Sequence, residues 1–158
     1  MKLSNRGRYG IFALFDLGYH ADGRAMQVKD IAARQGIPPR FLEQIFQDLK
    51  RAGLVTSKRG PNGGYRLTRP IDEIRLGDIL RAVEGPVTIG VSSRSTSSRR
   101  RDDDELGKRS RRVIEETFDD LSRNIEACFD RVTVADLCAR GEDLGVARSA
   151  RPKSAYVI

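Results

Sequence analysis

Arg40, Glu43, Gln44, Gln47 and Arg51 recur at spacings of three and four, which in a helix puts them on one face. Leu42, Ile45, Phe46 and Leu49 fall on the opposite face as an apolar stripe. The polar set has a definite chemistry. A guanidinium pairs two donors with guanine, a carboxamide bridges adenine, and a carboxylate accepts from the cytosine amino group, so this face suits base edges in a major groove. Further along, Lys58 and Arg59 precede Gly60-Pro61-Asn62-Gly63-Gly64, a narrow basic tip. By contrast, no set of residues is spaced for acid–base or metal chemistry. His20 is the single histidine, and its isolation reads as an exposed helix-end residue. The sequence therefore predicts no enzyme, no metal site and no cofactor.

The elements that must hold these residues are legible too. In "VKDIAARQGIPPRFLEQIFQDLKRAGL", Ile31 and Ala32 form the inner face of a short helix. Gly36 follows where a tight turn needs positive φ, Ile37 plugs the turn, and Pro38-Pro39 opens a second helix. This is helix-turn-helix spacing, although an ordinary helical hairpin has similar apolar positions. Val55-Thr56 and Tyr65–Thr68 flank the glycine-rich tip as two short strands. Alone, that hairpin would be a surface feature; directly after the second helix it completes a winged helix. Residues 7–20, apolar on nearly every face, read as a helix buried between others, ended by Asp22-Gly23. Residues 74–85 give a further helix from about Leu76, with Ile79, Leu80 and Val83 inward. The fold class is mainly α: a winged helix-turn-helix with a two-stranded wing and a long C-terminal dimerisation helix.

Four stretches follow from these patterns: a winged helix-turn-helix over 1–86, a flexible charged loop over 87–107, helical structure over 108–144 and a disordered tail over 145–158. Within the loop, "SSRSTSSRRRDDDE" has nothing apolar to bury. From Lys108 to Phe129, Ile114, Phe118, Leu121, Ile125 and Cys128 form a heptad-like seam. That seam packs on the chain's own first helix or on a second subunit, and two half-sites for one reading helix favour the second. Thr133, with Asp136 three residues on, caps a short helix over 134–140 that Gly141 ends.

The 158 residues suit one domain with an appendage. Formal net charge is +7; residues 1–86 hold 15 basic and 9 acidic residues, a net of +6, so the first half invites a polyanion. Two cysteines make no disulfide framework and point to a reducing cytoplasm. The sequence offers neither a membrane-length apolar run nor a secretory signal.

"LSNRGRYGIFAL", "DIAARQGIPPRFLEQIFQDLKRAGLV", "SKRGPNGGYRLTRP" and "IRLGDILRAVEG" together make residues 3 to 85 resemble the Rrf-two (Rrf2) family of bacterial winged-helix regulators. The resemblance implies a homodimer on palindromic operators, with Arg40, Glu43 and Gln44 toward the major groove and Arg59 leading the wing. Cluster-binding members carry three closely spaced cysteines where this chain has serines and arginines. The expectation is a homodimeric repressor that binds an inverted repeat of double-stranded DNA through helix 39–52 and wing 57–66. Candidate contacts are Arg40, Glu43, Gln44, Gln47, Lys58, Arg59, Gly63 and Gly64, with an unidentified protein or small molecule as effector. The alternative is an effector-sensing or interaction adaptor that uses the winged fold without reading DNA. Cys128 and Cys138 read as buried apolar fillers or as redox sensors; a subunit-bridging cluster stays open by count alone.

Overall fold

The computed structural model describes residues 3–89 and 105–148. Helices α1 (Asn5–His20), α2 (Val28–Gln35) and α3 (Pro39–Arg51) lead into an antiparallel hairpin, β1 (Val55–Lys58) and β2 (Gly64–Leu67). A 3-10 turn (Ile71–Glu73), α4 (Leu76–Glu84), α5 (Glu105–Asp130) and α6 (Val134–Asp143) complete the order.

The core sits around α1. Ala13, Leu14 and Leu17 of α1 are buried with Ile31, Leu42, Ile45, Phe46, Leu49, Leu54, Ile74, Ile79 and Val134. Glycine lets α4 approach α1 closely: a Cβ on Gly10 would stand 3.2 Å from Ile79 Cγ2. Between α2 and α3, Gly36 has φ 63° and the Ile37 N–H donates to Ala32 O at 3.0 Å, as a tight interhelical turn requires. Ser4 caps α1 by accepting from the Gly7 N–H at 3.2 Å, and its hydroxyl donates to Glu84 at 2.6 Å, joining the start of α1 to the end of α4.

Two carboxylates lock this module. Asp16 is fully buried; it accepts from Arg34 Nη2 at 2.6 Å and from Gln35 Nε2 at 2.9 Å, so α1 grips α2. Asp48 on α3 pairs with Arg6 and Arg51, and Arg6 Nε also donates to Val83 O at 2.8 Å, tying α1, α3 and α4 together.

α5 is anchored at its C-terminal end. Arg81 of α4 reaches Asp130 at 2.8 Å, the Leu76 N–H donates to Val132 O at 2.9 Å, and the Val134 N–H donates to Ile74 O at 2.9 Å. Thr133 and Asp136 form the expected reciprocal cap, whose hydrogen bonds hold the Asp136 carboxyl below its ordinary pKa.

Several boundaries differ from those expected. α5 starts at Glu105, ahead of Lys108. Residues 87–89 lie along α5: the Val87 N–H donates to Glu126 at 3.0 Å and the Ile89 N–H to Ser122 at 2.8 Å. Residues 90–104, with most of the expected loop, lie outside the described residues, as do 149–158 of the expected tail. Gly141 does not end α6. It is buried against the Phe15 and Tyr19 rings, where a Cβ would stand 3.2 Å from Tyr19, and the helix runs on to Asp143. Residues 145–148 dock instead of trailing: Tyr19 OH donates to Val146 O at 2.8 Å, and the Arg148 guanidinium sits 5.0 Å over the Tyr19 ring. His20 is half-buried, edge-on to Tyr19 at 5.1 Å, not exposed as expected.

Candidate nucleic-acid interface

α3 is divided lengthwise. Leu42, Ile45, Phe46 and Leu49 are buried completely, while Arg40, Glu43, Gln44 and Gln47 are exposed. Pro39 opens the helix where its missing N–H leaves no partner unpaired. The buried stripe fixes the rotation of the helix, and the four polar side chains are thereby presented together on its outer face. Arg51 is exposed too, but its guanidinium is paired with Asp48 and helps anchor the end of the helix.

The wing is fastened to α3 at several points. Lys50 Nζ donates to Ser57 Oγ at 2.7 Å, and the Tyr65 ring stacks on Phe46 at 4.6 Å between centroids. Met26 and Tyr65 exchange backbone hydrogen bonds, both at 2.9 Å, so the segment before α2 extends the hairpin by one bridge. Gln27 Nε2 reaches Pro61 O at 3.4 Å. Register pairs Lys58 with Gly64, and Lys58 and Arg59 are exposed at the tip.

The two tip glycines have structural causes. Gly63 is buried within the turn, where a Cβ would stand 2.5 Å from Lys58 O and 2.7 Å from Gly60 O. Gly64 has φ 140°, and a Cβ there would overlap the Met26 carbonyl. Any side chain at either position would break the turn and the Met26 bridge, so both glycines are required by the hairpin itself.

The seam of α5 is open. Ile114 is 54% exposed and Leu121 43%, with Val113 beside them at 64%; Phe118 and Ile125 are half-buried. Cys128 is exposed on this helix in the single chain. Cys138 is buried on α6, and burial pushes its thiol pKa up, which lowers its reactivity.

Two features of this surface carry no sequence signature of their own. One is the Arg6–Asp48 cross-link behind α3. The other is a groove of about 450 Å³ between the first turns of α1 and α3, walled by Tyr9, Pro38 and Phe41.

A helix-turn-helix with an exposed polar outer face and a basic two-stranded wing defines a winged-helix DNA-binding transcriptional regulator. The profile of the Rrf2 family, described as iron-dependent transcriptional regulators, matches residues 3–140, and the chain belongs to that family. The chain is 36% identical over 142 residues to the HTH-type transcriptional regulator IscR of Aliivibrio salmonicida, covering 90% of this chain and 80% of the relative. Its fold resembles T. potens IscR, with TM-score 0.69, 34% identity and 94% of each chain covered. It also resembles CymR, the global cysteine regulator of B. subtilis, with TM-score 0.65, 30% identity, and 89% of this chain and 98% of that one covered. The family consists of regulators, not enzymes. Among the described residues, no helix is long and apolar enough to cross a membrane.

The family description names iron, for which this chain offers few sulfur or nitrogen donors. The chain has two cysteines and one histidine, carried on α5, α6 and α1 respectively. Among the described residues, no three His, Cys, Asp or Glu side chains are grouped to hold a metal. Burial raises the Cys138 thiol pKa, which works against the thiolate form that binds a metal.

Proposed function

We propose that this regulator works as a cytoplasmic homodimeric repressor, reading an inverted repeat with two copies of α3 while the wings grip the flanking backbone or minor groove. The observation that carries the reading is the divided face of α3, wholly buried on one side and exposed as Arg40, Glu43, Gln44 and Gln47 on the other. In the major groove Arg40 suits guanine, Gln44 and Gln47 suit adenine, and Glu43 suits the cytosine amino group. Lys58 and Arg59 at the wing tip suit phosphate oxygens and the negative potential of a narrow minor groove. The net +6 of residues 1–86 supports both contacts.

The open apolar seam of α5 supports the dimer. Ile114, Phe118, Leu121 and Ile125 repeat at heptad spacing, and their exposure in one chain suits burial against a second copy. No cluster is held by either cysteine, and the signal enters through a small-molecule or protein effector.

The test is selection of binding sites from random duplex DNA, followed by footprinting and light scattering. An inverted repeat protected by two chains, with centres about one helical turn apart or a small multiple of it, is the expected result. A single unsymmetrical site held by a monomer overturns the dimer. Absence of any enriched sequence favours an adaptor that does not read DNA. Anaerobic purification yielding a brown protein with stoichiometric iron and sulfide overturns the cluster-free reading.

A further inference from the structure

We propose that Phe41 and Tyr9 wall a thymine-methyl subsite, in which the C5-methyl of one operator thymine seats in the groove between the first turns of α1 and α3. This rests on the reading of α3 as the helix that enters the major groove.

Phe41 is the third residue of α3, and the N-terminal residues of a recognition helix are the ones that meet base edges. Its ring is half-buried, and it lines the groove together with Arg40 and Gln44 of the reading face. The Tyr9 ring stands edge-on to it, 5.7 Å away at 88°, and so fixes its orientation. Pro38, with no N–H to offer, closes one side.

An apolar, aromatic notch is out of place on a surface otherwise built from Arg, Glu and Gln. Phosphates and sugars have no use for it. In the major groove, the thymine methyl is the apolar group that distinguishes one base from another, and Phe is among the side chains that contact it. The groove is continuous with the reading face, which supplies the second half of the argument. Adenine N6 and N7, which Gln44 can bridge, share a base-pair edge with the methyl of their paired thymine. A carboxamide and an aromatic wall one helical turn apart on α3 can therefore read the same A·T pair or two adjacent pairs.

The test starts from the operator selected with the full chain. Each thymine is replaced in turn by deoxyuridine, which removes the methyl and nothing else. At one position per half-site affinity is expected to fall about four-fold, the worth of one buried methyl, with little change elsewhere. That position should lie in the same base pair as the one where Gln44→Ala loses discrimination, or in the next. In Phe41→Ala the uracil penalty at that position should vanish, because the wall is gone. Where Phe41→Ala melts far below the parent, the uracil scan on unaltered protein decides alone. Tolerance of uracil at every position overturns the subsite. So does a sensitive position remote from the Gln44 pair, or a penalty of full size that persists in folded Phe41→Ala. If no sequence is enriched at the outset, the DNA-reading proposal fails first and is distinguishable from these results.

Discussion

α3 and α5 carry the same kind of sequence signal and meet opposite fates. Each has apolar residues at spacings of three and four. In α3 the stripe of Leu42, Ile45, Phe46 and Leu49 vanishes entirely beneath α1, α4 and the wing. In α5 Ile114 and Leu121 of the stripe stay exposed and Phe118 is half-buried, while the end near Asp130 is fastened to α4. Periodicity thus identifies a face that wants to leave water, but not what will cover it. In α3 the cover comes from the same chain and orients a polar face outward. In α5 the described residues leave much of the stripe uncovered.

The contrast predicts different responses to damage. The largest effect is expected in α3: Phe46→Ala should cost about 3–5 kcal/mol in urea unfolding, because a fully buried ring leaves a cavity. Ile114→Ser with Leu121→Ser should leave the fold of the single chain intact by circular dichroism, yet shift the dimer to monomer in light scattering. Equal loss of stability in both variants would break the comparison.

Next in size is the lock behind the reading helix. Arg34→Met removes the guanidinium from the fully buried Asp16 and leaves it the Gln35 hydrogen bond, and about 3 kcal/mol of destabilisation is expected by the same measurement. The Asp16→Asn, Arg34→Met double variant should recover part of that loss, since no charge is left uncompensated.

Within the proposed DNA contacts the comparison sharpens further. Gln44→Ala should lose about 1–3 kcal/mol of discrimination at one base position and little on random DNA. Arg59→Ala should weaken binding to every sequence alike and reduce the salt slope by about one. Binding titrations across salt concentrations separate the two, and identical profiles would abolish the division between helix and wing.

The smallest effect belongs to His20. Burial holds its pKa below the ordinary 6.5; Arg34 and Arg148 push the same way, and Asp16 opposes them. The unfolded chain therefore binds more protons than the folded one between those two pKa values. The contribution is fully present above pH 6.5 and is lost as pH falls through the folded value. His20→Gln should flatten the fall in urea midpoint between pH 7.5 and 5, and an unchanged fall would place the titration elsewhere.

The sequence by itself determined the helix-turn-helix, the wing, the capped last helix and the outward face of α3. Each depends on neighbours within a few residues: Gly36 at positive φ, the Pro39 start, the reciprocal Thr133–Asp136 cap, the alternation at Tyr65–Leu67. Only the tertiary structure decided the rest, because it depends on groups far apart in the chain. Asp16 meets Arg34, and Asp48 meets Arg6, only after the helices pack, and nothing in their spacing announces it. Gly141 looks like a helix stop but is small because the Phe15 and Tyr19 rings press on it, and Gly63 and Gly64 are small because backbone oxygens crowd them. A glycine can mean a turn, a stop or a close neighbour, and only the neighbour's position tells which. The aromatic groove had the same obscurity: Tyr9 and Phe41 each belong to an ordinary apolar pattern, and packing alone brings them together beside Gln44.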